Sequence, residues 1–146
     1  MKALLQRVQR ASVSIEGEMV GEIGAGLLVF LGFDHEDSPA EADRVLDKLL
    51  KYRMFADDAG KMNLSVSDTG GGVLLVSQFT LAANTMKGLR PSFSQAMPPS
   101  DAHALYNYAL DQLRNRHHPV AAGRFGADMQ VELINDGPVT FLLESV

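Results

Sequence analysis

Two stretches, LLVFLGF (27–33) and VLLVSQF (73–79), are apolar at almost every position. A strand with one wet face alternates polar and apolar residues, whereas a strand covered on both faces need not. Both runs are far shorter than the roughly 18–20 residues that span a bilayer. They therefore predict two central strands buried in a sheet. The chain of 146 residues, 46% hydrophobic and 21% charged, suits one domain over 1–146 with a packed core.

The remaining segments supply the other elements. Residues 3–15 (ALLQRVQRASVSI) carry β-branched Val8, Val13 and Ile15 and predict a strand, with Glu16-Gly17-Glu18 as its turn. Met19–Ile23 reads as a short strand, and Gly24-Ala25-Gly26 turns the chain into the first apolar run. Ser38-Pro39-Ala40-Glu41 is a helix start: a capping serine, proline at the first helical position and glutamate closing a capping box. Ala42, Val45, Leu46, Leu49 and Leu50 then recur at helical spacing. Residues 57–63 read as a turn and 69–72 as a loop. Residues 82–99, rich in Asn, Lys, Gly, Pro and Ser, read as a long surface loop of a kind that often serves function. Ser100 is expected to cap a second helix, with Ala102, Leu105, Tyr106, Ala109, Leu110 and Leu113 on one face and Arg116-His117-His118 at its end. Strands around 128–134 and 139–144 complete the chain, with Asn135-Asp136-Gly137 as hairpin chemistry between them. The expected architecture is α+β, a mostly antiparallel sheet with two main helices packed on it.

Several function classes are set aside. A net charge of −5 speaks against a protein that wraps long nucleic acid, while one short RNA end needs only a local basic patch. The absence of cysteine removes disulfides, thiolate metal sites and a Cys nucleophile, and fits a reducing cytoplasm. MKALLQRVQR has neither a long apolar segment nor a small-residue cleavage site, so no signal peptide and no membrane partner are expected. Asp34-His35-Glu36-Asp37 are consecutive and do not converge on one ion; they read as a solvated acidic loop. His117-His118 lacks i, i+4 spacing and His103 stands alone, so no metal is expected, nor any cofactor. GEIGAG (21–26) is not in dinucleotide-binding order, TGGG (69–72) lacks the Lys-Ser/Thr of a phosphate loop, and there is no G-x-S-x-G elbow. The seven methionines read mostly as core filler.

Two places remain. Ser77-Gln78-Phe79-Thr80-Leu81 carries a buried strand directly into the 82–99 loop, where active residues often sit and freed backbone N–H groups can form an oxyanion hole. The plainer alternative is a strand end with a small polar cap. Gly137-Pro138 opens a strand with a residue that cannot donate to a ladder. Its plainer alternative is a trans proline on an edge; a cis bond would turn the two carbonyls toward a ligand.

SQFTL (77–81) and NDGPVT (135–140) resemble the two signature motifs of the D-aminoacyl-tRNA deacylases. QRVQRASVSI (6–15), the G-x-I-G-x-G-L-L-V pattern at 21–29, KMNLS (61–65), KGLRPSF (87–93) and GRFGADM (123–129) fit the same family in order, so the resemblance spans essentially the whole chain. It implies a barrel-like fold and a homodimer with its active site at the subunit interface. It implies hydrolysis of the ester joining a D-amino acid to the 3′-terminal adenosine of tRNA, with glycine, including glycine mischarged on tRNA(Ala), as a second substrate. In the family the Gly137-Pro138 pair is cis and enters the partner's site. Its carbonyls bind the substrate α-ammonium group and crowd out an L side chain, which is selection by exclusion.

The same resemblance suggests roles. Backbone N–H groups of Phe79 and Thr80 are the oxyanion-hole candidates; the Phe79 side chain, an aromatic after an apolar run, reads alternatively as a core residue. Thr80 is a candidate nucleophile, though no base lies close in sequence; the alternative is that the ribose 2′-OH helps activate water. Ser77 and Gln78 orient the site or the adenosine. Arg7 resembles the arginine that braces the partner's Gly-Pro segment, and Asn135 supports that segment. Lys87, Arg90 and Arg124 are candidate phosphate contacts. A non-catalytic module binding an RNA end or a small molecule, and a purely structural dimerisation domain, are the rival readings.

Overall fold

A computed structural model describes residues 1–145. In chain order the elements are β1 (Lys2–Ile15), β2 (Glu18–Ile23), β3 (Gly26–Gly32), α1 (Pro39–Lys51), β4 (Phe55–Ala56), β5 (Met62–Leu64), α2 (Val66–Thr69), β6 (Gly72–Ser77), a 3₁₀ turn (Phe79–Ala82), α3 (Pro99–Arg116), β7 (Val120–Ala122) and β8 (Gln130–Glu144).

The main sheet runs β2-β1-β3-β6-β7, with β8 also paired to β1. Strand β1 is long enough to carry β8 along one edge and β3 followed by β2 along the other, all antiparallel. The two apolar runs pair with each other: β3 and β6 lie parallel from Gly26↔Gly72 to Leu31↔Ser77, and β6 continues parallel to β7. The edges β2 and β7 approach closely enough that a Cβ at Gly21 would stand 2.8 Å from the Ala122 carbonyl oxygen. The sheet is thus a nearly closed barrel.

Both faces of the apolar strands are covered, which is why they do not alternate. Leu27, Val29 and Leu31 of β3 and Val73 and Leu75 of β6 face a core shared with α1 and α3. Leu28, Leu74 and Val76 point the other way, into the barrel, with Val8, Ala11, Val13 and Ile23. The helices contribute Val45, Leu46 and Leu49 from α1 and Leu105, Tyr106 and Leu113 from α3.

Helix α1 begins as its local chemistry dictates. The Ser38 backbone N–H and hydroxyl both donate to the Glu41 carboxylate, the former at 2.7 Å. The Ser38 hydroxyl, then its backbone N–H, hold the Glu41 carboxyl down to about 2. Helix α3 begins at Pro99, not after Ser100. Proline has the fixed φ and missing N–H that suit a first helical position, and the Pro98 carbonyl accepts the Ala102 N–H at 2.9 Å.

Two other expectations are corrected. Residues 135–140 do not form a hairpin: β8 continues along β1 on both sides, with Val8↔Asn135 before and Gln6↔Thr140 after. Asp136–Val139 bulge outward opposite Arg7, so the turn chemistry serves a bulge and not a reversal. The 34–37 loop is not wholly solvated. Asp37 is largely buried at 2.7 Å from the Met1 ammonium group, which also meets Asp34 at 3.3 Å. No helix among the described residues is long and apolar enough to cross a membrane.

Candidate functional site

Strand β6 ends at a cleft of about 430 Å³. Ser77, Gln78 and Phe79 form its polar lip, Phe30, Val76, Met129 and Val131 reach it from the barrel, and Pro99, Ala102 and Phe125 close the far wall. The strand stops here because Gln78 bends the backbone (φ −140°, ψ 82°) after its N–H has bonded the Leu31 carbonyl at 2.8 Å. The next residues tighten into the 3₁₀ turn, with the Leu81 N–H on the Gln78 carbonyl at 3.2 Å. The first N–H groups of such a turn have no partner within it. Those of Phe79 and Thr80 meet no acceptor among the described residues.

The bend also removes Phe79 from the strand alternation. Its side chain is 62% exposed and leans on Phe93 of the 82–99 loop, ring centroids 5.2 Å apart, in place of the core position expected for it. Thr80 is exposed and is not among the cleft-lining residues; its hydroxyl accepts from the Gln78 side-chain amide. Among the described residues no carboxylate, imidazole or amine bonds that hydroxyl.

The far wall is anchored from behind. The Tyr106 hydroxyl donates to the Leu75 carbonyl at 3.0 Å, tying α3 to β6 two residues before Ser77. Burial pushes its phenol up to about 12. Phe125 packs obliquely on Tyr106 and lies flat against His103, centroids 4.7 Å apart. Gly123 leaves room for Met129: a Cβ there would stand 2.6 Å from the Met129 sulfur. Four of the seven methionines sit in or against the core, as expected, and two of these also serve the cleft. Met1 and Met54 are buried, Met97 and Met129 line the cleft, and Met19, Met62 and Met86 are exposed. The pattern around Gly123-Arg124-Phe125 was the available sign of this wall, since a glycine beside an aromatic often marks a close approach.

Gly137 and Pro138 do not line this cleft. They are exposed at the tip of the β8 bulge, joined by a cis peptide. Three contacts hold the bulge. Val139 is buried in the core. The Asn135 side-chain carbonyl accepts the Val139 N–H at 2.7 Å, while its amide donates to the Thr140 hydroxyl at 3.0 Å. Arg7, directly opposite, donates from Nε to the Asp136 carbonyl at 2.9 Å and from Nη1 to the Met54 carbonyl at 2.8 Å. Because β1 pairs with β8, Arg7 braces the Gly-Pro segment of its own chain. Gly137 has φ +143°, and a Cβ there would meet Val139 Cγ2 at 2.6 Å, so no other residue fits.

Lys87 and Arg90 lie in the 82–99 loop and Arg124 adjoins Phe125; all three are exposed. None forms an ion pair among the described residues. The chain therefore presents two separate features, an apolar cleft with a polar lip and a braced projecting dipeptide.

The chain is similar to known proteins. Residues 4–144 match the family model described as D-Tyr-tRNA(Tyr) deacylase. A D-aminoacyl-tRNA deacylase of Stutzerimonas stutzeri (strain A1501) is 62% identical over 145 residues, covering 99% of this chain and 100% of the relative. One from Cellvibrio japonicus (strain Ueda107) is 58% identical over 144 residues, covering 99% of each. The solved structure of a c-Myc DNA Unwinding Element Binding Protein superposes with a TM-score of 0.96 at 46% identity, covering 100% of this chain and 99% of that one. A probable eukaryotic D-amino acid tRNA deacylase shares the fold at 16% identity, with a TM-score of 0.85 over 97% of each chain. The chain belongs to the D-aminoacyl-tRNA deacylase family.

Proposed function

We propose that this protein is a cytoplasmic hydrolase that cleaves the ester between a D-amino acid, or glycine, and the 3′-terminal adenosine of tRNA. Water adds to the ester carbonyl carbon, the bond from that carbon to the ribose 3′-oxygen breaks, and the products are the free amino acid and a tRNA with its 3′-OH restored. The observation that carries this reading is the cleft at the end of β6, lipped by Ser77-Gln78-Phe79 and bordered by unpartnered backbone N–H groups, in a chain that the family model matches over residues 4–144.

The Phe79 and Thr80 N–H groups stabilise the oxyanion that forms when water adds; donors fixed before reaction need no reorganisation. The apolar floor of Phe30, Val76, Met129 and Phe125 takes the adenosine, and Ser77 and Gln78 orient it. Thr80 has a side-chain amide, not a base, on its hydroxyl, which favours the ribose 2′-OH as the group that helps activate water over a threonine nucleophile.

The working unit is a homodimer. The Gly137–Pro138 tip of each protomer projects away from its own cleft and enters that of its partner. There the two carbonyl oxygens accept from the substrate α-ammonium group, and the tip occupies the space an L side chain needs. A main-chain filter ignores side-chain identity, which suits proofreading of many D residues and admits glycine.

Incubation with matched D- and L-aminoacyl-tRNA tests this. The expected result is release of the D amino acid and of glycine, with the L ester intact. Retention of the tRNA without hydrolysis would instead mark a binding module, and neither outcome would mark a structural domain.

A further inference from the structure

The last turn of α1 carries Lys48 and Lys51 three residues apart, and Tyr52-Arg53 follow at once. With Phe141 of β8 they line an open groove of about 590 Å³. Tyr52 and Phe141 meet edge to face, centroids 5.3 Å apart, and form its aromatic floor. Lys48, Lys51 and Arg53 are exposed. The neighbouring cations Arg44 and Arg116 are paired with Glu41, Asp43 and Asp47, whereas these three form no ion pair among the described residues, Arg53 only adding, after Ser65, to the forces that hold the Asp68 carboxyl below its ordinary range. No carboxylate lines the groove, in a chain whose net charge is −5. The helix dipole accounts for lysines in a last turn. It does not account for Arg53, which lies beyond the helix on the same groove, and the core against which Tyr52 and Phe141 pack leaves their edges between the cations.

The position of the groove gives it a partner. Arg53 precedes Met54, whose carbonyl accepts from Arg7, and Arg7 also holds the Asp136 carbonyl at the base of the Gly137–Pro138 tip. Phe141 lies on β8 just after that tip. The groove and the tip are therefore two sides of one corner.

We propose that this groove binds the phosphates and unpaired bases of the tRNA acceptor end, next to the terminal adenosine, for the substrate held in the partner's cleft. The inference rests on the deacylase reading, in which the tip enters that cleft and brings the groove to its mouth. Cations tracking a backbone beside rings on which bases stack are the chemistry that recognises a single-stranded nucleic acid.

The test compares the wild-type protein with a Lys48→Ala/Lys51→Ala/Arg53→Ala variant on two substrates: D-aminoacyl-tRNA and the D-aminoacyl ester of adenosine, which has no phosphate. The ratio of kcat/KM for tRNA to that for the ester is expected to fall about tenfold, chiefly through KM for tRNA, and the dependence of log KM on log salt to become shallower by about 2. An unchanged ratio, including an equal loss on both substrates, overturns the proposal. If the wild type cleaves neither substrate, the deacylase reading fails on its own. Filter retention of an RNA minihelix ending in CCA then decides the groove: weaker retention by the variant supports it and equal retention overturns it. Retention of a single-stranded DNA of matched length in preference to the minihelix also overturns it.

Discussion

Arg7 Nε lies 2.9 Å from the carbonyl oxygen of Asp136, the residue before the Gly137–Pro138 tip. The guanidinium makes its second bond to Met54, so one largely buried side chain ties β1, the segment after α1 and the β8 bulge together. Replacing it with alanine leaves two carbonyls without their donor. Arg7→Ala is expected to lower stability by about 2–3 kcal/mol, as measured by urea unfolding. It is also expected to narrow the difference between D and L release rates, and Arg7→Lys, with no fork to reach both carbonyls, should restore only part of either.

Thr80→Ala separates the two chemical routes. With water as the attacking group and the backbone as the oxyanion hole, deacylation should stay within about tenfold of wild type. Loss of a true nucleophile costs about 10⁴-fold or more. Single-turnover release of the D amino acid is the measurement.

Gly123→Ala probes the cleft without striking the backbone. The new Cβ meets the Met129 sulfur, the mobile end of a flexible side chain, and pushes it toward the cleft. KM for the tRNA substrate is expected to rise about three- to tenfold with a smaller change in kcat, and thermal unfolding to show a loss of no more than about 1–2 kcal/mol.

Acid should weaken the start of α1. The Glu41 carboxyl is held down to about 2 from an ordinary 4.5 by Ser38. A lowered folded value means that the contribution is complete above 4.5 and is lost as pH falls toward 2. Glu41→Gln should therefore flatten the acid limb of the thermal stability curve over that window, most of all below pH 4.5.

Alkali should act on α3. The Tyr106 phenol rises from an ordinary 10 to about 12 because its ionised form would be buried. A raised folded value means stability that is complete below pH 10 and is lost as pH climbs toward 12. Tyr106→Phe should remove that part of the alkaline loss, at a cost near neutrality of about 1 kcal/mol for the missing bond to Leu75.

What the chain discloses without coordinates divides by range. The start of α1 is readable because Ser38, Pro39 and Glu41 act within one turn. The two apolar runs are readable because burial on both faces erases alternation. That β3 and β6 pair in parallel is not, since the choice of neighbour depends on α1 and the 52–71 segment crossing between them. Asn135-Asp136-Gly137 carries the composition of a reversal, yet β1 is long enough to pair beyond it, and register on β1 decides for a bulge. The lip of the cleft is visible in SQFTL because strand end and polar residues are contiguous. Its walls are not, because Phe30, Ala102 and the pair Phe125 and Met129 come from three distant segments. Lys48, Lys51 and Arg53 look like any helix end until Phe141 is set beside them.

The bulge on β8 has one more implication. Its two ends are paired to β1, at Val8↔Asn135 and Gln6↔Thr140, and its middle is pinned through Val139, Asn135 and Arg7. A part mounted in this way is shaped when the chain folds. In the proposed function, the tolerance of a tip that screens handedness is therefore set at folding, like the wards of a lock.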